Sequence, residues 1–224
     1  MPASSKSLPR AGTRGEPEKT RAAILKAALH EFGTEGVAGA RTDEIARAAG
    51  VNKALLYYYF KDKEALYGAV VESIFAGLRD RIVEVLDEPL PPRQRFIKYV
   101  GTHFDYVASS PHFPRVVQHE MMRAGRKKSP HLKWLAEQYF HPIFGRLSKL
   151  FDDGIKSGDF RKVELLHFAP SMVGAIIHYF NTVPFAEAFG KGDPLAPERV
   201  AAQRAAVIDF CTHALFKDPG NESA

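Results

Sequence analysis

The segment Arg41–Leu66, RTDEIARAAGVNKALLYYYFKDKEAL, predicts two short helices joined by a tight turn and followed at once by the start of a third. Thr42 is predicted to cap the first helix, and two acidic residues follow it where the helix dipole favours negative charge. Gly50 is predicted to end this helix with a positive φ. Asn52 is then predicted to cap a second helix that runs to about Phe60. Two helices joined by a short turn that contains glycine form a helix-turn-helix.

The second helix has an unusual distribution of side chains for an element of a core. At about 100° per residue, Leu56 and Phe60 share one stripe, whereas Ala54 and Tyr58 point in roughly the opposite direction. Three consecutive tyrosines, residues 57–59, cannot all be buried by one short helix. A helix that enters the DNA major groove places small or apolar groups against base edges and hydroxyls against phosphates. The composition therefore favours a recognition helix.

Two lysines begin this helix and the next one. Periodicity places Lys53 nearer the buried side, although a long side chain in the first turn can swing outward. Asp62 is predicted to cap the third helix, whose first turn contains Lys63. Backbone N–H groups and a cation could therefore bind one phosphate together at that helix start.

The residue order T-D-E-I-A-x-x-A-G-V-x-K-x-x-L-Y-Y-x-F-x-x-K-E-x-L, from Thr42 to Leu66, resembles the DNA-binding domain of the TetR family of bacterial transcriptional regulators. The resemblance extends upstream over one further helix, about Glu18–Glu35, and so covers roughly the first third of the chain. It implies an all-α fold, in which an N-terminal three-helix helix-turn-helix domain is joined by a long helix to a C-terminal helical domain for ligand binding and dimerisation.

The resemblance also implies which residues contact DNA. Lys53 and Ala54 would lie nearest base edges, and Leu55 and Tyr58 would add to specificity. Ala54 stands where the family frequently has glycine, and Leu55 where it has a small polar residue, which bears on the DNA sequence that is bound. Operator DNA is the expected partner, with an affinity that falls steeply with salt. The implied DNA contacts are Thr42, Asn52, Lys53, Ala54, Leu55, Tyr57, Tyr58, Tyr59 and Lys63.

Composition is that of an ordinary globular protein with a basic charge balance. A net charge of +5 and a pI near 9.2 suit a polyanionic partner, and suit a mildly basic solvated surface equally well. The single Cys211 rules out an intramolecular disulfide, as in a reducing compartment. The N-terminus lacks the apolar segment of a signal peptide, and the most apolar run, 168–180, is too short to span a membrane. We expect a cytoplasmic, nucleoid-associated protein with no membrane partner.

The pattern along the chain indicates two helical domains. A long helix is predicted from Asp62 to about Leu86, and the proline-rich segment 87–93 ends it. Later helices are predicted at about Gln94–Ser109, Ser110–Met122, His131–Lys156 with a kink at Pro142, Lys162–Phe189 with a break expected at Pro184, and Pro197–Phe216. The expected divisions are a disordered basic arm (1–16), the DNA-binding domain (17–66, with the helix-turn-helix at 41–60), the C-terminal domain (67–217) and a tail (218–224).

Methionine and aromatic side chains are frequent in the C-terminal domain, where they form either a packed core or the wall of a small-molecule pocket. A core is the commoner outcome for each residue taken alone. The resemblance nevertheless implies an effector site, because the second domain of this family commonly binds a small molecule that releases the protein from its operator. The pocket residues expected on this basis are Phe104, His119, Met122, Trp134, Phe140, Phe144, Met172, Ile176 and Tyr179.

The last two predicted helices are apolar around much of their circumference. Helices of this kind need partners on two sides, and a four-helix interface with a second copy provides the second partner. Such a homodimer would place two recognition helices about one DNA turn (~34 Å) or a multiple apart, as a palindromic operator requires. The expected interface residues are Val173, Ile177, Phe180, Val207, Ile208 and Cys211.

Enzymatic motifs are absent from the sequence. The nine histidines include no His-x-x-x-His or HExxH pair, and His167 and His178 are about 16 Å apart on one helix, too far to share a metal. P-loop, G-x-S-x-G and dinucleotide-binding glycine motifs are also missing. We therefore expect no catalytic residues, no metal and no cofactor. The main hypothesis is a ligand-responsive repressor, and the alternative is a helical DNA-binding or protein-interaction module without a small-molecule effector.

Overall fold

The structure is a computed structural model that describes residues 17–110, 112–125, 129–190 and 192–218. These residues form an all-α fold in two compact units, divided between Val70 and Val71. The helices are α1 (Pro17–Gly39), α2 (Thr42–Ala48), α3 (Lys53–Tyr59), α4 (Lys63–Asp87), α5 (Pro92–Ala108), α6 (Phe113–Gly125), α7 (Leu132–Trp134), a π-helical segment (Leu135–Phe140), α8 (His141–Ser157), α9 (Leu165–Asn181), α10 (Val183–Ala188) and α11 (Pro197–Leu215). The predicted arm (1–16) and the tail beyond Asp218 lie outside the described residues.

The N-terminal unit is built on the apolar stripe of α1. Ile24, Ala28 and Phe32 are fully buried, as their helical spacing predicts. Leu56 of α3 and Tyr67 of α4 are fully buried in the same unit, and the Phe32 and Tyr67 rings meet edge to face with centroids 5.2 Å apart. Burial of each large apolar side chain contributes ~1.5–3 kcal/mol. The helix-turn-helix pair therefore depends on α1 and α4 for its core.

One residue inside α1 has a non-helical backbone. Gly36 has φ 68° and ψ 174°, so two helical pieces meet there. The sequence predicted that this helix ends near Glu35, whereas the chain resumes a helical path after the break and continues to Gly39. Glycine permits the break because it lacks the Cβ that disfavours positive φ in other residues.

The helix-turn-helix shows one confirmed cap and one correction. Gly50 has φ 70°, and Asn52 caps α3 by accepting from the backbone N–H of Leu55 at 2.7 Å, both as predicted. Thr42 was predicted to cap α2 and does not. Arg41 occupies the N-cap without a side-chain hydrogen bond, and Thr42 is the first helical residue.

The C-terminal unit has an aromatic core that includes Phe96 of α5. The Phe96 ring centroid lies 6.0 Å from that of Phe160 and 5.9 Å from that of Phe216. Phe160 and Phe216 stack at 5.4 Å and are joined by an isolated antiparallel bridge. Gly154 of α8 permits this packing, because a Cβ at that position would clash with the Phe160 ring. The segments that follow α8 and α11 are thus fixed on the core of α5.

The long helix predicted at 131–156 is not continuous. A π-helical segment, Leu135–Phe140, precedes α8, and Pro142 follows at the second position of α8. Proline has no N–H to donate to the carbonyl four residues earlier, which here belongs to Gln138. That carbonyl accepts instead from Arg79 Nη1 of α4, at 3.1 Å. The predicted kink at Pro142 is therefore a π-helical segment that is hydrogen-bonded to α4.

The penultimate predicted helix is divided as the position of Pro184 indicated. α9 starts at Leu165, three residues later than predicted, and ends at Asn181. Thr182 separates it from the short α10, in which Pro184 lies in the first turn. Across the residues that the structure describes, every helix is too short or too polar to cross a membrane.

Candidate DNA-binding surface and ligand cavity

The recognition helix α3 buries one face and exposes the other. Leu56 is fully buried and Phe60 is 5% exposed, whereas Tyr58 is 81% exposed. Of the predicted contacts, Asn52, Lys53, Ala54, Tyr57 and Tyr58 are exposed, and Leu55 and Tyr59 are half-buried. The outward face thus combines a small residue with a phenol, the composition that suits close approach to bases and phosphates.

Thr42 lies behind this face. It is only 9% exposed, and its Oγ1 is 3.2 Å from the hydroxyl of Tyr57. Thr42 was expected to contact DNA directly, and this contact stays a prediction. Its hydroxyl forms a hydrogen bond that orients Tyr57, which is itself 38% exposed.

Lys53 points outward, towards α2. Its side chain is half exposed, contrary to the position near the core that periodicity indicated, and its ammonium is 2.9 Å from the Asp43 carboxylate. This hydrogen bond raises the pKa of Lys53, and the nearby positive charge of Arg41 acts in the opposite direction. Arg41 is exposed directly before α2 and was not among the predicted DNA contacts.

Lys63 has a structural role that the sequence did not indicate. Its ammonium donates to the carbonyls of Ala38, at 3.3 Å, and Ala40, at 3.2 Å, just where α1 ends. The helix start that carries Lys63 is capped as predicted, since Asp62 accepts from the backbone N–H of Ala65 at 2.7 Å. An ammonium has three N–H donors, so two of them hold the end of α1 and one can still meet a phosphate.

The C-terminal unit contains a cavity of about 820 Å³. Its wall comes from α5, α6, the π-helical segment, α8 and α9, and is mostly aliphatic and aromatic. Met121, Phe140, Phe144 and Leu166 line it while remaining between 39% and 66% exposed, so these side chains form its mouth. Both its size and its lining are those of a small-molecule site.

Two polar side chains of the cavity lining contain a buried atom that has no hydrogen-bond partner among the described residues. His103 of α5 is 2% exposed, its Nδ1 has no hydrogen-bond partner, and burial lowers the pKa of its imidazole to about 4. The Oδ1 of Asn181, at the end of α9, is also buried without a partner. In the described part of the chain, no three His, Cys, Asp or Glu side chains are arranged to hold a metal ion.

Two family models match the chain. The model described as bacterial regulatory proteins, tetR family, matches residues 24–70, and the one described as tetracyclin repressor-like, C-terminal domain, matches residues 92–211, more than half of the chain. The chain belongs to the TetR family. The first match covers the helix-turn-helix, and the second covers every helix that lines the cavity.

Named relatives of this TetR-family chain are transcriptional regulators. The chain is 28% identical to the HTH-type transcriptional repressor NicS of Pseudomonas putida over 75% of this chain and 78% of NicS. It is 30% identical to the regulator RutR of Escherichia coli over 74% of this chain and 76% of RutR. The crystal structure of FadR from Bacillus subtilis in complex with stearoyl-CoA has the same fold, with a TM-score of 0.63, 20% identity and coverage of 85% and 97%. The names of NicS and RutR indicate a regulatory rather than an enzymatic role.

The cavity of this TetR-type C-terminal unit differs from the predicted pocket in most of its residues. Phe140 and Phe144 line it as expected, and so do Val173 and Ile177, which were expected at a dimer interface. Phe104 is fully buried against Phe180, with ring centroids 5.4 Å apart. The other expected residues lie outside the lining: Met172 and Ile176 are in the core, Tyr179 donates to the carbonyl of Pro194, Met122 is exposed, and His119 and Trp134 are partly buried elsewhere.

The predicted dimer residues of α11 face inward. Val207 is 4% exposed and Cys211 1%, so both belong to the core of the protomer, and burial raises the pKa of the Cys211 thiol to about 11. Ile208 and Phe180 are half-buried. The outward face of α11 carries small residues and one aromatic side chain, namely Ala202, Ala205, Ala206 and Phe210, of which Phe210 is 59% exposed.

Proposed function

We propose that this TetR-family protein is a repressor that binds a palindromic operator as a homodimer and is released when a small molecule occupies the apolar cavity. The observation that carries this proposal is the cavity of about 820 Å³ in the C-terminal unit of a chain whose N-terminal unit is a helix-turn-helix. The bound stearoyl-CoA named for FadR, a protein of the same fold, supports a ligand-binding role for this unit.

Operator binding would use the exposed face of α3. Ala54 and Tyr58 would lie against base edges, and Tyr57, held by Thr42, would reach a phosphate. Lys53 is paired with Asp43 in the absence of DNA, so contact with a base or phosphate requires that this ion pair be broken or shared. Asp43 would also repel phosphates from positions that Lys53 does not cover, which favours one docking register.

Dimerisation would use the outward faces of α9 and α11. On α9, His167 and Ser171 are exposed. Together with Phe210 of α11, they line a shallow groove between the two helices. Small residues allow two helices to approach closely, and an exposed aromatic side chain on each copy can fill the groove of the other.

Release from DNA would begin at the wall of the cavity. Tyr139 and Phe140 of the π-helical segment line the cavity, and the Tyr139 ring packs edge to face on Phe75 of α4, with centroids 4.8 Å apart. Arg79 of α4 donates to the carbonyl of Gln138 in the same segment. A ligand that displaces this segment therefore acts directly on α4, which has residues in both units. Ligand and operator would then oppose one another through linkage.

An electrophoretic mobility shift with DNA from beside the protein's own gene tests this proposal. It should be run at two salt concentrations with an excess of random DNA as competitor. A discrete complex that resists the competitor, and that weakens as salt rises, is expected of a sequence-specific regulator. Salt-sensitive smearing alone would contradict sequence-specific binding at that site and favour a general DNA-binding or interaction module.

A further inference from the structure

The polarity of the cavity wall limits what it can bind. Among the described residues that line it there is no Asp, Glu, Lys or Arg. Its aliphatic lining includes Leu147, Leu165, Leu166 and Ala169. An ionised carboxylate or ammonium moved from water into such a site without a charged partner loses most of its solvation. The wall therefore disfavours charged ligands of either sign.

Two of the polar side chains that line the cavity, His103 and Asn181, contain buried atoms. The rings of Phe104 and Phe180 pack with centroids 5.4 Å apart, which brings α5 and the end of α9 together, and His103 and Asn181 are the sequence neighbours of those two rings. The buried Nδ1 of His103 and the buried Oδ1 of Asn181 have no hydrogen-bond partner. Buried polar groups are nearly always satisfied in native proteins, and these two lie where a ligand would reach them.

The buried titratable side chains of the cavity lining are uncharged near pH 7. His103 is neutral near pH 7, because burial lowers its pKa to about 4. Burial also raises the pKa of Tyr99 and of Tyr139, which line the same cavity and therefore remain uncharged phenols. The other two histidines of the lining, His141 and His178, are exposed, so water solvates them. The buried side chains His103, Tyr99 and Tyr139 thus offer hydrogen bonds without charge.

We propose that the cavity selects an uncharged, mostly apolar molecule, whose single hydroxyl, carbonyl or amide group hydrogen-bonds to His103 and Asn181. This inference rests on the proposed function, since it takes the cavity as the effector site. The apolar body of the ligand packs on the aliphatic and aromatic wall, and its polar group satisfies the two buried atoms that have no partner among the described residues. Carboxylates and amines of the same skeleton are rejected because the described lining contains no charged side chain to balance their charge.

Displacement of Nile red, an uncharged fluorophore, from the full-length protein tests this selectivity. Four competitors share one ring system: naphthalene, 2-naphthalenemethanol, 2-naphthoate and 2-naphthylmethylammonium. We expect 2-naphthalenemethanol to compete at concentrations about tenfold or more below those of the two ions. It should also compete better than naphthalene, which lacks a hydrogen-bonding group. Equal or stronger competition by 2-naphthoate or the ammonium would overturn the proposal.

Substitutions locate the effect in the cavity. Ala169→Trp should weaken Nile red binding by filling the cavity, whereas Met122→Trp, on the exposed side of α6, should not. His103→Phe and Asn181→Leu should each reduce the advantage of 2-naphthalenemethanol over naphthalene, with competition corrected for the affinity of each variant for Nile red. Asn181 is only half-buried, so its variant remains informative if the substitution at His103 prevents folding. If 2-naphthalenemethanol kept its full advantage over naphthalene in Asn181→Leu, or in a folded His103→Phe, the assignment of these two side chains as the hydrogen-bonding groups would be overturned.

The two proposals fail in different ways. If 2-naphthalenemethanol binds with the expected preference but leaves the operator complex intact at saturation, the release mechanism fails and the ligand class stands. If 2-naphthoate binds in the cavity and releases the operator, the release mechanism stands and the ligand class fails.

Discussion

The buried histidine of the cavity makes a quantitative prediction about stability and pH. Burial lowers the pKa of His103 to about 4, from 6.5 in an exposed imidazole. Between these values the unfolded chain binds a proton that the folded protein does not. The contribution of the neutral imidazole is therefore fully present above about pH 6.5 and is lost as pH falls towards 4. The two pKa values correspond to ~3 kcal/mol in total, of which ~2 kcal/mol is lost between pH 7 and pH 5.

Urea unfolding at pH 7 and pH 5, at one protein concentration, measures this loss. Other titrating groups also change the stability of the wild type between these pH values. The difference between wild type and His103→Gln therefore isolates the contribution of His103. We expect the free energy of unfolding of His103→Gln to fall by ~2 kcal/mol less than that of the wild type over this interval. Tyr99 and Tyr139 do not contribute, because burial raises the pKa of both phenols far above this range.

The control is His141→Gln. His141 lines the same cavity but is exposed at the first position of α8, so this variant removes an exposed histidine of the lining instead of a buried one. If His103→Gln and the wild type lost the same stability between pH 7 and pH 5, His103 would not be a buried neutral imidazole. The assignment of His103 as an uncharged hydrogen-bonding group of the cavity would then be wrong.

Three further substitutions test the DNA surface, the dimer and the core. Lys53→Ala should weaken operator binding by about tenfold to a hundredfold and relax base preference, as measured by fluorescence anisotropy; an equal loss on random DNA would make Lys53 a phosphate contact only. Phe210→Glu should give a monomer by light scattering at micromolar concentration, whereas a wild-type monomer would contradict the proposed interface. Gly154→Ala should lower the free energy of unfolding by ~1–3 kcal/mol, because its Cβ would displace the buried Phe160 ring. Gly145→Ala, on the same helix with no atom near its Cβ, should not destabilise the protein.

The helix-turn-helix was predictable because its signals are local. A cap at Asn52 and a positive φ at Gly50 depend on residues within a few positions of one another, so the sequence contains the whole interaction. Thr42 was placed wrongly for the opposite reason. Its hydroxyl has two competing partners, the backbone of its own helix and the hydroxyl of Tyr57 fifteen residues later, and only the packing of α2 against α3 decides between them.

The cavity and the proposed dimer face were less predictable, because they depend on which stripe of each helix faces inward. α9 and α11 are apolar on more than one face, so periodicity alone could not separate core from cavity or from interface. Val173 and Ile177 were assigned to a dimer and line the cavity, while Val207 and Cys211 belong to the protomer core.

The sequence by itself determined the all-α class, the family, and the positions of the recognition helix and most helix boundaries. The all-α class and the helix positions follow from helical periodicity, capping residues, glycine and proline, all of which act over a few residues. The family follows from the resemblance of the residue order from Thr42 to Leu66. Only the tertiary structure decided that Arg79 donates to the carbonyl of Gln138 beside Pro142, and that His103 and Asn181 line the same cavity. Those arrangements join residues far apart in the chain, and packing fixes them through contacts that no local pattern encodes.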